Sequence, residues 1–161
     1  MKHVEIHTKL TLFDSKDELP QEVLQLMNEA ENARENAYAP YSKFKVGAAV
    51  LLDNGKIITG NNQENAAYPS GLCAERVAVF YANSQYPDVS IVQIALTARS
   101  ETQKLDAPIP PCGSCRQAIA EYEVKQEKPI EIYFMGETGK VAKVDSLKVL
   151  LPLIFEKNYL K

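Results

Sequence analysis

No apolar stretch in this sequence approaches membrane length. The longest, from Val46 to Leu52, is only a few residues and is broken by Gly47, whereas a helical span needs about 20. The opening residues, Met1-Lys2-His3-Val4-Glu5, hold no apolar core of the kind a secretory leader needs, so export is not expected. No repeat and no low-complexity linker divides the 161 residues, which leaves a single domain as the simplest reading. An excess of positive charge is also missing. Eighteen basic residues stand against 21 acidic ones, for a net charge of −3, which disfavours general binding to nucleic-acid phosphates or anionic membranes. Histidine is nearly absent: His3 and His7 are the only two. Cysteine is scarce and odd in number, at positions 73, 112 and 115. That is poor material for a disulfide framework, so reduced thiols in the cytoplasm are expected.

What remains is ordinary for a globular protein: 45% apolar and 24% charged residues. A chain of this size buries roughly two-thirds of its unfolded surface. Alternation from Val4 to Leu12 predicts a strand, placed at a sheet edge. Residues 1–19 read as an extension and 20–161 as the main domain. Pro20 suits a helix start, and Val23, Leu24, Met27 and Ala30 recur at helical spacing before Pro40. Asn54-Gly55 predicts a hairpin between Val46–Leu52 and Lys56–Gly60. A helix is expected over 73–83, with Ala74, Val77, Ala78 and Tyr81 on one stripe. A buried strand over 91–98, a proline-rich loop over 108–111, a helix over 115–124, a strand over 130–135 and a short helix over 147–151 follow. This order predicts an α/β domain with helices covering a mixed sheet.

Two clusters carry the chemistry, Cys73-Ala74-Glu75-Arg76 and Pro111-Cys112-Gly113-Ser114-Cys115. Each falls where a loop becomes a helix, and a helix start favours thiolate over thiol. Cys112 and Cys115 lie one turn apart and can grip one ion, which Cys73 completes as a three-sulfur set. Zinc prefers four ligands, so three protein sulfurs leave a position for water, the economical reading being a catalytic zinc. Glu75 then stands beside that position as a base and acid for proton transfer. Three thiolates on a divalent ion leave a net −1, and Arg76, one turn after Cys73, is placed to draw charge from the sulfurs. A redox Cys-x-x-Cys, a structural Cys₃His site using His3 or His7, and an ordinary exposed Glu75–Arg76 pair are the bland alternatives.

With these clusters and their flanks, the chain resembles the small, homotetrameric type of cytidine deaminase. The similarity runs from about Asn36 to Phe155. It includes Ala39-Pro40-Tyr41-Ser42-Lys43-Phe44-Lys45-Val46-Gly47-Ala48-Ala49 and Gly60-Asn61-Asn62-Gln63-Glu64-Asn65-Ala66-Ala67-Tyr68, which are more specific than the zinc motif. A Cys₃ zinc with a non-ligating glutamate marks zinc deaminases in general. The resemblance implies a three-layer α/β/α fold with a five-stranded mixed sheet, to which the N-terminal strand is an addition. It implies one Zn²⁺ per chain on Cys73, Cys112 and Cys115, and Glu75 as the proton carrier. Asn62 and Glu64 would bind the ribose, Phe44 would pack on the pyrimidine, and the Ala74 N–H would meet the base. Phe155 would reach the active site of a neighbouring subunit. The expected reaction is hydrolytic deamination of cytidine and 2′-deoxycytidine in pyrimidine salvage. Its rivals are deamination of a larger cytosine compound such as blasticidin S, which Asn62-Gln63-Glu64 argues against, deamination of nucleic acid, and a non-catalytic zinc module.

Overall fold

The computed structural model describes residues 1–160, with six strands, three α-helices and four single-turn 3-10 helices, one of which, Leu147–Val149, stands where the short helix over 147–151 is expected. The strands are β1 (Thr11–Phe13), β2 (Phe44–Leu52), β3 (Ile57–Asn61), β4 (Ile91–Ser100), β5 (Glu131–Met135) and β6 (Val141–Val144). The helices are α1 (Gln21–Glu35), α2 (Ala74–Gln85) and α3 (Gly113–Gln126). One sheet contains all six strands in the order β1-β6-β5-β4-β2-β3. Only β4 and β5 are parallel, as the crossover through α3 requires. The hairpin β2–β3 turns at Gly55, whose φ of 79° is open to glycine without strain.

The pleat divides the core into two layers. Ala48, Val50, Leu52, Ile94, Leu96, Ile132 and Phe134 face α2 and α3. Ala49, Ala95, Tyr133, Met135 and Val141 face α1, which covers them with Val23, Leu26, Met27 and Ala30. The result is the expected three-layer arrangement, five strands plus one from the N-terminus. No helix among the described residues is long and apolar enough to cross a membrane.

Two expectations from periodicity need correction. The N-terminal strand covers only Thr11–Phe13, while residues 4–10 have no regular structure and are exposed. The reason is the partner: Thr11 pairs with Lys143, and β6 ends at Val144, so anything earlier than Leu10 overhangs it. On α2 the buried side is Ala74, Glu75, Ala78, Val79 and Ala82, with Tyr81 outward. Small residues are needed because a Cβ on Gly60 of β3 would lie 2.6 Å from the Ala78 nitrogen and 2.7 Å from the Ala74 carbonyl oxygen. That close approach fixes the start of α2 against the sheet.

Candidate active site

Cys73 is the N-cap of α2, Cys112 the N-cap of α3, and Cys115 lies in the first turn of α3. The parallel pair β4–β5 and its crossover bring the two helix starts together. The three sulfurs lie within 4.8 Å of one another, and Cys73 Sγ is 3.8 Å from Cys112 Sγ. That is far beyond a disulfide and matches the edge of about 3.8 Å that a tetrahedron with Zn–S bonds of about 2.3 Å requires.

The three thiols also influence one another's ionisation. A hydrogen bond from the Cys115 thiol, with help from Arg76 and Cys112 and against burial, draws Cys73 down to about 5. The same Cys73 contact, together with burial and the charge of Glu75, pushes Cys115 up. Three thiols this close compete for negative charge, and a divalent ion among them relieves that competition. The donor set fits zinc. Arg76 reaches the cluster as expected, its Nη2 standing 3.8 Å from Cys73 Sγ. Its Nε is buried without a hydrogen-bond partner.

A cleft of about 400 Å³ lies over Cys73 and Cys112. Glu75 is 5% exposed and lines its floor. Burial raises the Glu75 carboxyl above its ordinary range, and the charge of Cys73 adds to this. A carboxyl whose affinity for protons is raised in this way is suited to accept and return them. Phe44, Val46, Leu96 and Ala98 form an apolar wall, which Ile109 and Pro110 continue. Asn62 and Glu64 form the polar wall.

Those two polar side chains also shape the cleft. The Asn62 Oδ1 accepts from the Val46 N–H at 2.8 Å, and its Nδ2 donates to the Phe44 carbonyl at 2.9 Å. Glu64 Oε2 accepts from the Tyr41 and Ser42 N–H groups at 2.9 and 3.2 Å. Between them the chain passes through Lys43 at φ 57°, a left-handed conformation that a non-glycine residue keeps only when held there. Glu64 thus clamps the turn that delivers Phe44 to the cleft. Burial raises the Glu64 carboxyl, but the Ser42 hydroxyl, the two backbone N–H groups and Lys43 outweigh it and bring it below the usual range.

Ala74 opens α2 between the cleft-lining residues Cys73 and Glu75, is fully buried and does not itself line the cleft. Phe155 is elsewhere. It is 60% exposed, stacks on Tyr159 at 5.9 Å and does not line this chain's cleft. Sequence reasoning missed Leu96, Ala98, Ile109 and Pro110, and the Tyr41–Tyr68 pair beside the cleft, 6.1 Å between rings. A rigid proline-rich loop running directly into Cys112 was the available signal for Ile109 and Pro110.

Three sulfurs with an open position and a buried carboxyl at the floor of a cleft form the apparatus of a zinc-dependent hydrolytic enzyme. Comparison with known proteins narrows the class. Residues 20–128 match the family model described as the cytidine and deoxycytidylate deaminase zinc-binding region. A cytidine deaminase of Halalkalibacterium halodurans is 48% identical over 132 residues, covering 81% of this chain and 91% of that protein. Another, from Sporosarcina psychrophila, is 41% identical over 85% of this chain and 93% of its own length. The crystal structure of cytidine deaminase from Burkholderia pseudomallei superposes with a TM-score of 0.70 at 36% identity, over 85% of this chain and 100% of that one. The chain belongs to the cytidine and deoxycytidylate deaminase family.

Proposed function

We propose that this enzyme hydrolyses the C4 amino group of cytidine and 2′-deoxycytidine, releasing ammonia and the uridine counterpart. The observation that carries the reading is Glu75, a buried carboxyl between the three-sulfur cluster and a nucleoside-sized cleft. The family model is a zinc-binding region, and Cys73, Cys112 and Cys115 are the residues that would hold the ion. When bound, zinc supplies Lewis acidity that makes water nucleophilic near neutral pH. Glu75 takes up a proton from the attacking water and delivers it to N3 of the ring. It then carries the second proton, from the oxygen added at C4, to the amino nitrogen; the C4–N bond breaks, the C4 carbonyl forms and ammonia leaves. The raised affinity of Glu75 for protons suits both transfers.

The apolar wall suits a pyrimidine face, with Phe44 packed on the ring. Glu64 suits a ribose hydroxyl because the Tyr41 and Ser42 N–H groups both bond one of its oxygens, Oε2; Asn62, whose Oδ1 and Nδ2 each hold one backbone partner, keeps a lone pair and an N–H for another. No lysine or arginine lines the cleft itself, and Arg76 beside it is engaged with Cys73. A free nucleoside therefore suits the site better than a nucleotide or a strand of nucleic acid. We further infer a cytoplasmic homotetramer in which Phe155 completes a neighbour's site, with residues 1–19 an extension of a catalytic domain over 20–161. The exposure of Phe155 and its distance from its own cleft support the shared site, and three unpaired thiols support the location.

The test is the ultraviolet change and ammonia release on mixing zinc-loaded enzyme with cytidine, deoxycytidine, deoxycytidylate and a cytosine-containing oligonucleotide. Ammonia from the two nucleosides, in step with absorbance, is expected. Inertness towards nucleosides, or faster turnover of the phosphorylated substrates, overturns the reading.

A further inference from the structure

The segment before β1 has the alternation of a strand but no strand partner among the described residues of its own chain, and its sequence is complementary to itself. Residues 1–10 make no regular structure with their own chain and are exposed. Val4, Ile6 and Leu10 are 86%, 53% and 45% exposed, and Leu12 of β1 is 59% exposed. These even-numbered apolar residues alternate with His3, Glu5, His7 and Lys9. The Glu5 and His7 side chains lie on one side of the backbone, with Nε2 3.4 Å from Oε2, as neighbours two apart do on an extended chain. The segment leads directly into β1, the outermost strand of the sheet, whose free edge offers unpaired N–H and C=O groups. No proline precedes Pro20 to block pairing.

We propose that residues 2–12 pair, antiparallel and about a two-fold axis at His7, with the same residues of a second copy of this chain. Residues opposite one another in an antiparallel pair share a face. A two-fold axis must therefore pass through a residue position, or the apolar and charged sides would mix. An axis at His7 sets Val4 opposite Leu10, Ile6 opposite Thr8, and Glu5 opposite Lys9, each twice by symmetry. An axis at Ile6 sets His3 against Lys9. One at Thr8 sets His7 against Lys9 and leaves Glu5 opposite Thr11. Only the His7 register matches both carboxylates with both ammonium groups. The pairing joins two six-stranded sheets edge to edge and gathers the apolar residues of both copies on one face. It stands independently of the reaction proposed above, since none of these residues lines the cleft.

The test is amide hydrogen exchange over residues 2–10 in the intact, zinc-loaded enzyme. In the parent, exchange slowed by about tenfold or more is expected for the amides that face the partner. Glu5→Lys sets lysine against Lys9 and should abolish the protection; Lys9→Glu sets two glutamates together and should do the same. The swap Glu5→Lys with Lys9→Glu should restore it. Mixing the two single variants should also restore it, because each supplies the charge the other lacks. Recovery on mixing identifies a second copy as the partner. Free exchange of residues 2–10 in the parent overturns the proposal. So does protection that survives both single reversals, which would mean a contact within the chain, or protection that fails to return in the swap.

Discussion

Glu75 occupies the one position where a carboxyl is buried, aimed at the cleft and next to the sulfur cluster without belonging to it. Glu75→Gln keeps the shape and removes both proton transfers. Turnover should fall by about 10²–10⁴-fold or more, while zinc content measured by metal analysis stays at one per chain. Arg76 touches Cys73 rather than the cleft floor, so its effect passes through the sulfurs. Arg76→Gln should weaken zinc retention against a competing chelator by about 10–100-fold. An exposed ion pair unconnected with the cluster would leave retention unchanged. Glu64→Gln weakens a carboxylate that holds the Tyr41–Ser42 turn as well as facing the cleft. KM should rise for cytidine and deoxycytidine alike, as expected for contact with the 3′-hydroxyl they share. A loss confined to cytidine would place Glu64 at the 2′-hydroxyl instead.

At the scale of elements, the start of α2 depends on the absence of a side chain opposite it. Gly60→Ala places a methyl against the Ala74 carbonyl and the Ala78 nitrogen, backbone atoms that cannot turn aside. A loss of about 1–3 kcal/mol in denaturant unfolding is expected, together with reduced zinc retention, since Cys73 and Glu75 ride on that helix start. The far end of α3 is tied down differently. Buried Glu123 accepts from the Ile130 N–H, the Ser146 hydroxyl and the Leu147 N–H at 2.8, 2.6 and 2.9 Å, a role the sequence pattern does not announce. Across the sheet, burial raises Glu131, but Lys143 at 2.6 Å and hydrogen bonds from Gln93 and Tyr133 bring it below the ordinary value of 4.5. Its contribution to stability is present above that value and is lost as pH falls through the folded one. Glu131→Gln should therefore flatten the pH dependence of the thermal midpoint on the acid side.

For the whole molecule, the proposal that Phe155 completes a neighbour's site predicts the behaviour of mixtures. Subunits carrying Glu75→Gln lack the proton carrier, and subunits carrying Phe155→Ala lack the residue given to a neighbour. Each alone should be impaired. Co-refolded together, they should recover activity, because a Phe155→Ala subunit keeps Glu75 and receives an intact Phe155 from its neighbour. Absence of recovery, or sedimentation of a fully active monomer, rules out the shared site.

The zinc residues, Glu75 and the α/β order were legible in the sequence because they rest on local rules. Cysteines at helix starts, a carboxyl two residues from a ligand, and a period of two or 3.6 each need only a short window. The hairpin at Asn54-Gly55 is likewise a property of two residues. What only the tertiary structure decided depends on partners distant in the chain. The N-terminal strand is three residues long because β6 ends at Val144. Helix α2 buries alanines rather than Tyr81 because Gly60 lets β3 approach. Ile109 and Pro110 join Phe44 and Leu96 at one cleft because the β4–α3–β5 crossover closes beside the start of α2. Periodicity names the residues that can be buried, while the length and closeness of the neighbouring elements choose which of them are.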